Sequence, residues 1–101
     1  VKIGSSILVD EAKGEVRRSI NIFRYFAGEG SRMAGVMAPS ERDRVHMFAI
    51  RKPIGVCGLI TPWNFPSAIP AWKLAPALLC GNTVVMKPAS AAPLSAWRII
   101  E

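Results

Sequence analysis

Residues 54–87 read IGVCGLITPWNFPSAIPAWKLAPALLCGNTVVMK, and this stretch decides the architecture. Gly55–Ile60 is a short uncharged run closed by a Pro-rich turn, the pattern of a fully buried strand of a parallel sheet. After TPWNFP, apolar residues return at helical spacing (Ile69, Trp72, Leu74, Ala75, Leu78, Leu79), which predicts a helix over 67–79. Pro70 suits a first turn, whereas Pro76 predicts a kink or a break. Gly81-Asn82 stops the helix. Thr83–Met86 is a second buried strand, ended at Lys87-Pro88, and PLSAWRIIE (93–101) opens another helix with Leu94, Trp97 and Ile100 in register. Strand, helix, strand, helix makes an α/β chain: an incomplete Rossmann-like parallel βαβα unit over residues 54–101. Ligands in such sheets bind at the carboxyl ends of the strands, which here are TPWNFP and KPAS.

Upstream, residues 1–9 are ambiguous. From Asp10 to about Met33 the spacing predicts a long helix. Its apolar stripe is Val16, Ile20, Phe23 and Ala27, flanked by Ala12 and Phe26, while Arg17 and Arg18 fall on polar faces. Gly28 and Gly30 make its stop. Residues 34–43 read as a loop. Arg44–Ile50 alternates as a strand with both faces partly covered, and Lys52-Pro53 ends it.

The chain has 101 residues, a net charge of +6 and 50% hydrophobic residues. That allows one modest domain at most and excludes a disordered tail. No run reaches the roughly 18–20 apolar residues of a membrane span, and the start lacks a signal peptide's apolar core. Both ends read as cuts in something larger. The basic excess is scattered and matches no nucleic-acid motif, so neither nucleic acid nor membrane is an expected partner. No acidic residue occurs from Pro53 to Ile100, which points to burial plus an anionic ligand. Cys57 and Cys80 have no metal-ligand spacing and no His/Cys company. They read as buried free thiols of a reducing, cytoplasmic protein, with no metal site.

The two strand ends carry the groups that could do chemistry. Asn64 offers amide donors suited to a developing oxyanion, and Lys87 a point charge for hydroxyls or phosphate. The plainer alternative stays open: Asn64 as a turn residue, Trp63 and Phe65 as core, Lys87 facing solvent.

Two patterns add a resemblance: P-x-G-V-x-G-x-I-x-P-W-N-F-P, then W-K-x-A-P-A-L-x-x-G-N-T-V-V-x-K-P-A. Together they resemble the start of the coenzyme domain of the NAD(P)-dependent aldehyde dehydrogenase superfamily. The upstream E-A-x-G-E-V is similar to the same family more loosely. The resemblance implies that residues 1–43 belong to the N-terminal region, 44–53 to an oligomerisation strand and 54–101 to the NAD(P)-binding domain. It implies a small-molecule aldehyde of unspecified kind as substrate and a homo-oligomer, dimer or tetramer, with the strand Arg44–Ile50 pairing across subunits or with a distant segment of its own chain. Asn64 is then the side-chain half of the oxyanion hole. Ile60, Thr61, Pro62 and Trp63 line the cofactor, and Lys87, with Ala89 and Ser90 after it, meets the adenosine ribose. Lys73 is expected near the reaction chamber, in a proton path.

NAD-preferring members of the family commonly carry Glu where this chain has Ser90. A neutral residue removes the repulsion of a 2′-phosphate, so NADP is favoured over NAD. The nucleophilic cysteine and general-base glutamate are expected beyond Glu101; neither Cys57 nor Cys80 matches the nucleophile's motif, and the 101-residue piece alone is expected to be inactive. A CoA-acylating relative, or a non-catalytic scaffold with a degenerate site, fits these residues too.

Overall fold

The computed structural model describes residues 3–101. Val1 and Lys2, which open the ambiguous stretch and the first segment, lie outside the described residues. Helix α1 (Ile3–Glu29) starts seven residues earlier than the periodicity places it and closes in a 3-10 turn at Gly30–Arg32. Strands β1 (Val36–Ala38) and β2 (Met47–Ala49) form an antiparallel hairpin. Then come β3 (Val56–Ile60), α2 (Ala68–Leu79), β4 (Thr83–Lys87) and α3 (Pro93–Ile100). The βαβα order expected of residues 54–101 is the order observed.

β3 and β4 are parallel neighbours, with Val56 opposite Thr83 and Ile60 opposite Lys87. Asn82 sets that alignment. Its side-chain oxygen accepts the N–H of Ile54 at 2.7 Å and of Gly55 at 3.1 Å, while its amide donates to the Ala77 carbonyl at 3.2 Å. The end of α2 and the starts of both strands are therefore tied at one buried side chain. Gly81 precedes it with φ +79, a left-handed conformation that a side chain would strain.

α2 is the centre of the packing. Ala68 and Ala71 are fully buried, with Pro70, Leu74 and Ala75 beside them. Pro76 lies inside this helix, yet α2 runs unbroken from Ala68 to Leu79, so the expected break does not occur. Pro76 sits in the last turns, where its own carbonyl still accepts the Cys80 N–H at 3.1 Å.

The strands are not fully buried as expected. Along β3 and β4 half-buried residues alternate with exposed ones: Cys57, Leu59, Val84 and Met86 against Val56, Ile60, Val85 and Lys87. A single helix layer covers one face, and parallel sheets are normally covered on both. Cys57 is accordingly half-buried and Cys80, at the end of α2, exposed, so the expectation of two buried thiols is corrected; both are unbridged.

α1 packs on α2 through a face other than the apolar stripe. Val16, Ile20 and Ala27 are exposed, whereas Ser19 is buried and Ile22 and Phe26 half-buried. A Cβ on Gly30 would come within 3.0 Å of Leu79, which marks how closely the ends of the two helices approach. Of the stripe itself, only Phe23 is half-buried.

The hairpin also departs from expectation. The segment read as a loop contains β1, and β2 is only three residues long, exposed throughout and paired with β1 nearby in its own chain. The pairing is close at Gly35, where any side chain would collide with the Ala49 carbonyl. The whole is elongated, 76 × 23 × 21 Å, with a radius of gyration of 19.2 Å; a compact chain of this length has about 13 Å. No described helix is long and apolar enough to cross a membrane.

Candidate active site

Because β3 and β4 end on the same rung, Ile60 against Lys87, the segments TPWNFP and KPAS leave one edge of the sheet side by side. Thr61, 4% exposed, carries the ladder one step further by donating its N–H to the Lys87 carbonyl at 3.3 Å. Pro62, Trp63 and Asn64 then emerge into solvent, with Trp63 67% exposed. On the other strand Lys87 is exposed, Ala89 half-buried and Ser90 exposed. Their loop is closed by the Ala92 N–H donating to the Ala89 carbonyl at 3.1 Å.

The start of α2 is capped from far upstream. Glu15 of α1 accepts the backbone N–H of Ser67 at 2.7 Å and of Ala68 at 3.1 Å through one carboxylate oxygen. An anion there satisfies two of the donors a helix start leaves open and meets the positive end of its dipole. Ser67 occupies the usual capping position but its hydroxyl is buried with no partner among the described residues, so the cap is Glu15 alone. This fastens α1 to the residues that directly follow PWNFP. Sequence reasoning missed the role; the one signal was Glu15 itself, inside E-A-x-G-E-V.

Between α1 and this loop lies an open cleft of about 760 Å³, within the size range of small-molecule sites. Asn64 and Phe65 form one wall, and Glu11, Gly14, Glu15, Arg17, Arg18 and Asn21 belong to the other. Lys87, Ala89 and Ser90 do not line it. The sequence-derived residues thus divide: Ile60 and Lys87 share a rung that Thr61 extends, Asn64 faces α1, and Lys73 stands exposed on α2 and does not line the cleft. Arg17 and Arg18, read from sequence only as polar-face residues, are part of the cleft.

The family model for the aldehyde dehydrogenase family matches residues 3–101. The chain belongs to the aldehyde dehydrogenase family. It is 56% identical over 90 residues to the alpha-ketoglutaric semialdehyde dehydrogenase of Bacillus subtilis (strain 168), covering 89% of this chain and 18% of that protein. It is 58% identical over 77 residues to retinaldehyde dehydrogenase 3 of Rattus norvegicus, covering 76% of this chain and 15% of that one. Among solved structures, an NADP-dependent enzyme of E. coli superposes with a TM-score of 0.87 at 43% identity, over 90% of this chain and 19% of that chain. The chain therefore spans less than a fifth of the length of each.

Proposed function

We propose that this chain is the part of an NAD(P)-dependent aldehyde dehydrogenase that binds the cofactor and supplies the oxyanion-hole amide. The full enzyme oxidises an aldehyde to a carboxylic acid. The observation that carries the reading is the shared rung of Ile60 and Lys87, from which PWNFP and KPAS open on one edge, in a chain of this family.

The residues at that edge suit a dinucleotide. Lys87 is exposed and makes no ion pair among the described residues, and no carboxylate lies between Pro53 and Ile100 to repel phosphate. NAD(P)+ bound there would supply the hydride acceptor for the oxidation. Ile60, Thr61, Pro62 and Trp63 line the nicotinamide side, with the exposed indole of Trp63 as an apolar plate. Lys87, Ala89 and Ser90 hold the adenosine ribose. Ser90 brings no negative charge to the 2′ position, and this favours NADP; the NADP dependence of the E. coli relative is in keeping.

Asn64 donates its amide N–H to the carbonyl oxygen while a cysteine thiolate attacks the aldehyde carbon and the oxygen gains charge. That cysteine, and the glutamate that activates water to release the acid, are supplied from beyond Glu101. Lys73 serves the proton path near the reacting centre. Residues 1–43, 44–53 and 54–101 divide into N-terminal region, oligomerisation strand and cofactor domain, and the exposed hairpin of β1 and β2 is the surface through which a dimer or tetramer forms. A reducing, cytoplasmic setting suits two unbridged cysteines.

The test is the full-length enzyme with a simple aldehyde, following reduced cofactor at saturating NADP+ and NAD+. Aldehyde-dependent reduction with carboxylic acid as product is expected, with the higher kcat/KM for NADP+. No reduction with either cofactor would defeat the reading, and a strong NAD+ preference would defeat the cofactor assignment.

A further inference from the structure

We infer that Glu15 is a positioning residue for the oxidation proposed above: by capping α2, its carboxylate holds the Asn64 amide where the oxygen of the reacting carbonyl gains charge. This rests on that reading and adds to it a residue of a different helix. Only Phe65 and Pro66 stand between Asn64 and Ser67. Both are stiff. The Pro66 ring fixes its own φ, and a residue before proline is kept out of the helical region, so Phe65 has few conformations open to it. The Ile69 N–H donates back to the Phe65 carbonyl at 3.1 Å and ties that residue to the first turn of α2. A grip on Ser67 and Ala68 is therefore passed to Asn64 with little slack.

A helix start ordinarily draws its cap from a local serine or threonine. Ser67 stands where such a residue would, but its backbone is already helical, and its hydroxyl is buried with no hydrogen bond among the described residues. Glu15 takes its place, with one oxygen 2.7 Å from the Ser67 nitrogen and 3.1 Å from that of Ala68. Acceptance by a carboxylate makes these bonds stronger than a neutral hydroxyl would. Glu15 is itself well seated. Ser19, one turn further along α1, is buried, and its hydroxyl donates to the Glu15 carbonyl at 3.1 Å.

The origin of the cap matters for the chemistry. A serine cap would fix the start of α2 only to itself. A cap from α1 fixes it to a second rigid element, so the loop that carries Asn64 is held against both helices. An oxyanion donor needs that kind of support, because its contribution depends on being in place before charge develops.

The experiment is a double-mutant cycle in the full-length enzyme, pairing Glu15→Leu with Asn64→Ala and reading kcat, cofactor KM and melting temperature. Alone, Glu15→Leu should lower kcat about tenfold with cofactor KM little changed. In the Asn64→Ala background no amide is left to position, and the same substitution should lower kcat by less than about twofold. Glu15→Gln keeps an accepting oxygen and disturbs the fold least. It should lose about two- to threefold alone and nothing further once Asn64 is replaced, so the cycle is readable even where Glu15→Leu does not fold. Ser67→Ala should leave kcat and melting temperature unchanged, because the hydroxyl it removes makes no hydrogen bond; a tenfold loss of kcat there would give the cap to Ser67 and overturn the inference. Equal losses in both backgrounds, no loss at all, or a loss carried by cofactor KM also overturns it while leaving the dehydrogenase reading intact. A wild type that oxidises no aldehyde, or an Asn64→Ala variant with unchanged kcat, overturns the proposed site and the inference with it.

Discussion

The two loops at the carboxyl edge of the parallel sheet start from the same rung but are held by different means. The PWNFP loop is held at both of its ends. Thr61 extends the ladder, the Ile69 N–H returns to the Phe65 carbonyl at 3.1 Å, and Glu15 reaches in from another helix. The KPAS loop has one internal backbone bond, between Ala92 and Ala89, and an exposed serine at its tip. An amide that must meet a developing charge loses most of its value if it moves by an ångström. A group that grips ribose hydroxyls or phosphate can adjust. The firm loop is the one proposed for chemistry and the looser one for affinity and cofactor choice.

Breaking the firm loop at its working residue should cost most. Asn64→Ala in the full-length enzyme is expected to lower kcat by about 10²- to 10³-fold with little change in cofactor KM. Steady-state kinetics checks this, and an equal loss in both parameters would move Asn64 to binding. On the looser loop, Ser90→Glu should shift the ratio of kcat/KM for NADP+ over NAD+ toward NAD+ by about 100-fold while sparing kcat, because in the proposed site the new charge would repel the 2′-phosphate. A fall in kcat with both cofactors would mean the two loops do not divide the work in this way.

The third test removes the difference between the loops. Glu15→Leu deletes a cap worth about 1–2 kcal/mol and should lower the melting temperature by roughly 2–4 °C. It should also lower kcat about tenfold if the Asn64 loop loosens with it. Glu15→Gln keeps an accepting oxygen and should recover most of kcat. A lower melting temperature with unchanged kcat would make the clamp structural only.

The smallest effect lies outside both loops. The Glu29 carboxyl is held below its ordinary value by its hydrogen bond from Arg32. Its contribution is present above the unfolded-state pKa and disappears as pH falls through the folded-state one. NMR titration should place its midpoint below the ordinary glutamate value, and Arg32→Gln should raise it without altering either loop.

How much of this could be read in advance depended on distance along the chain. The unit over residues 54–101 was legible because each element is bounded by proline, glycine or asparagine and its periodicity is local. Pro76 did not break α2 because the buried face of Ala68, Ala71, Leu74 and Ala75 offsets the backbone bond it removes, and packing is not visible in local sequence. β1 was missed because three residues, Val36–Ala38, are too few to show alternation. On α1 the apolar stripe was real, but packing on α2 selects the neighbouring face, where Glu15 and Ser19 lie. The Glu15 clamp joins residues 52 positions apart, and no local pattern records such a contact. Arg18 was counted as a solvated charge for the same reason: its cleft exists only once α1 lies beside the Asn64 loop.

Asn82 has a further consequence. By anchoring both strands at a common origin, this amide makes them equal rulers: five residues each, from Val56 to Ile60 and from Thr83 to Lys87. A slip of a single step along either ruler would turn Ile60 or Lys87 to the opposite side of the sheet. Replacing Asn82 would therefore disturb the proposed cofactor site from the far end of the sheet, touching neither loop.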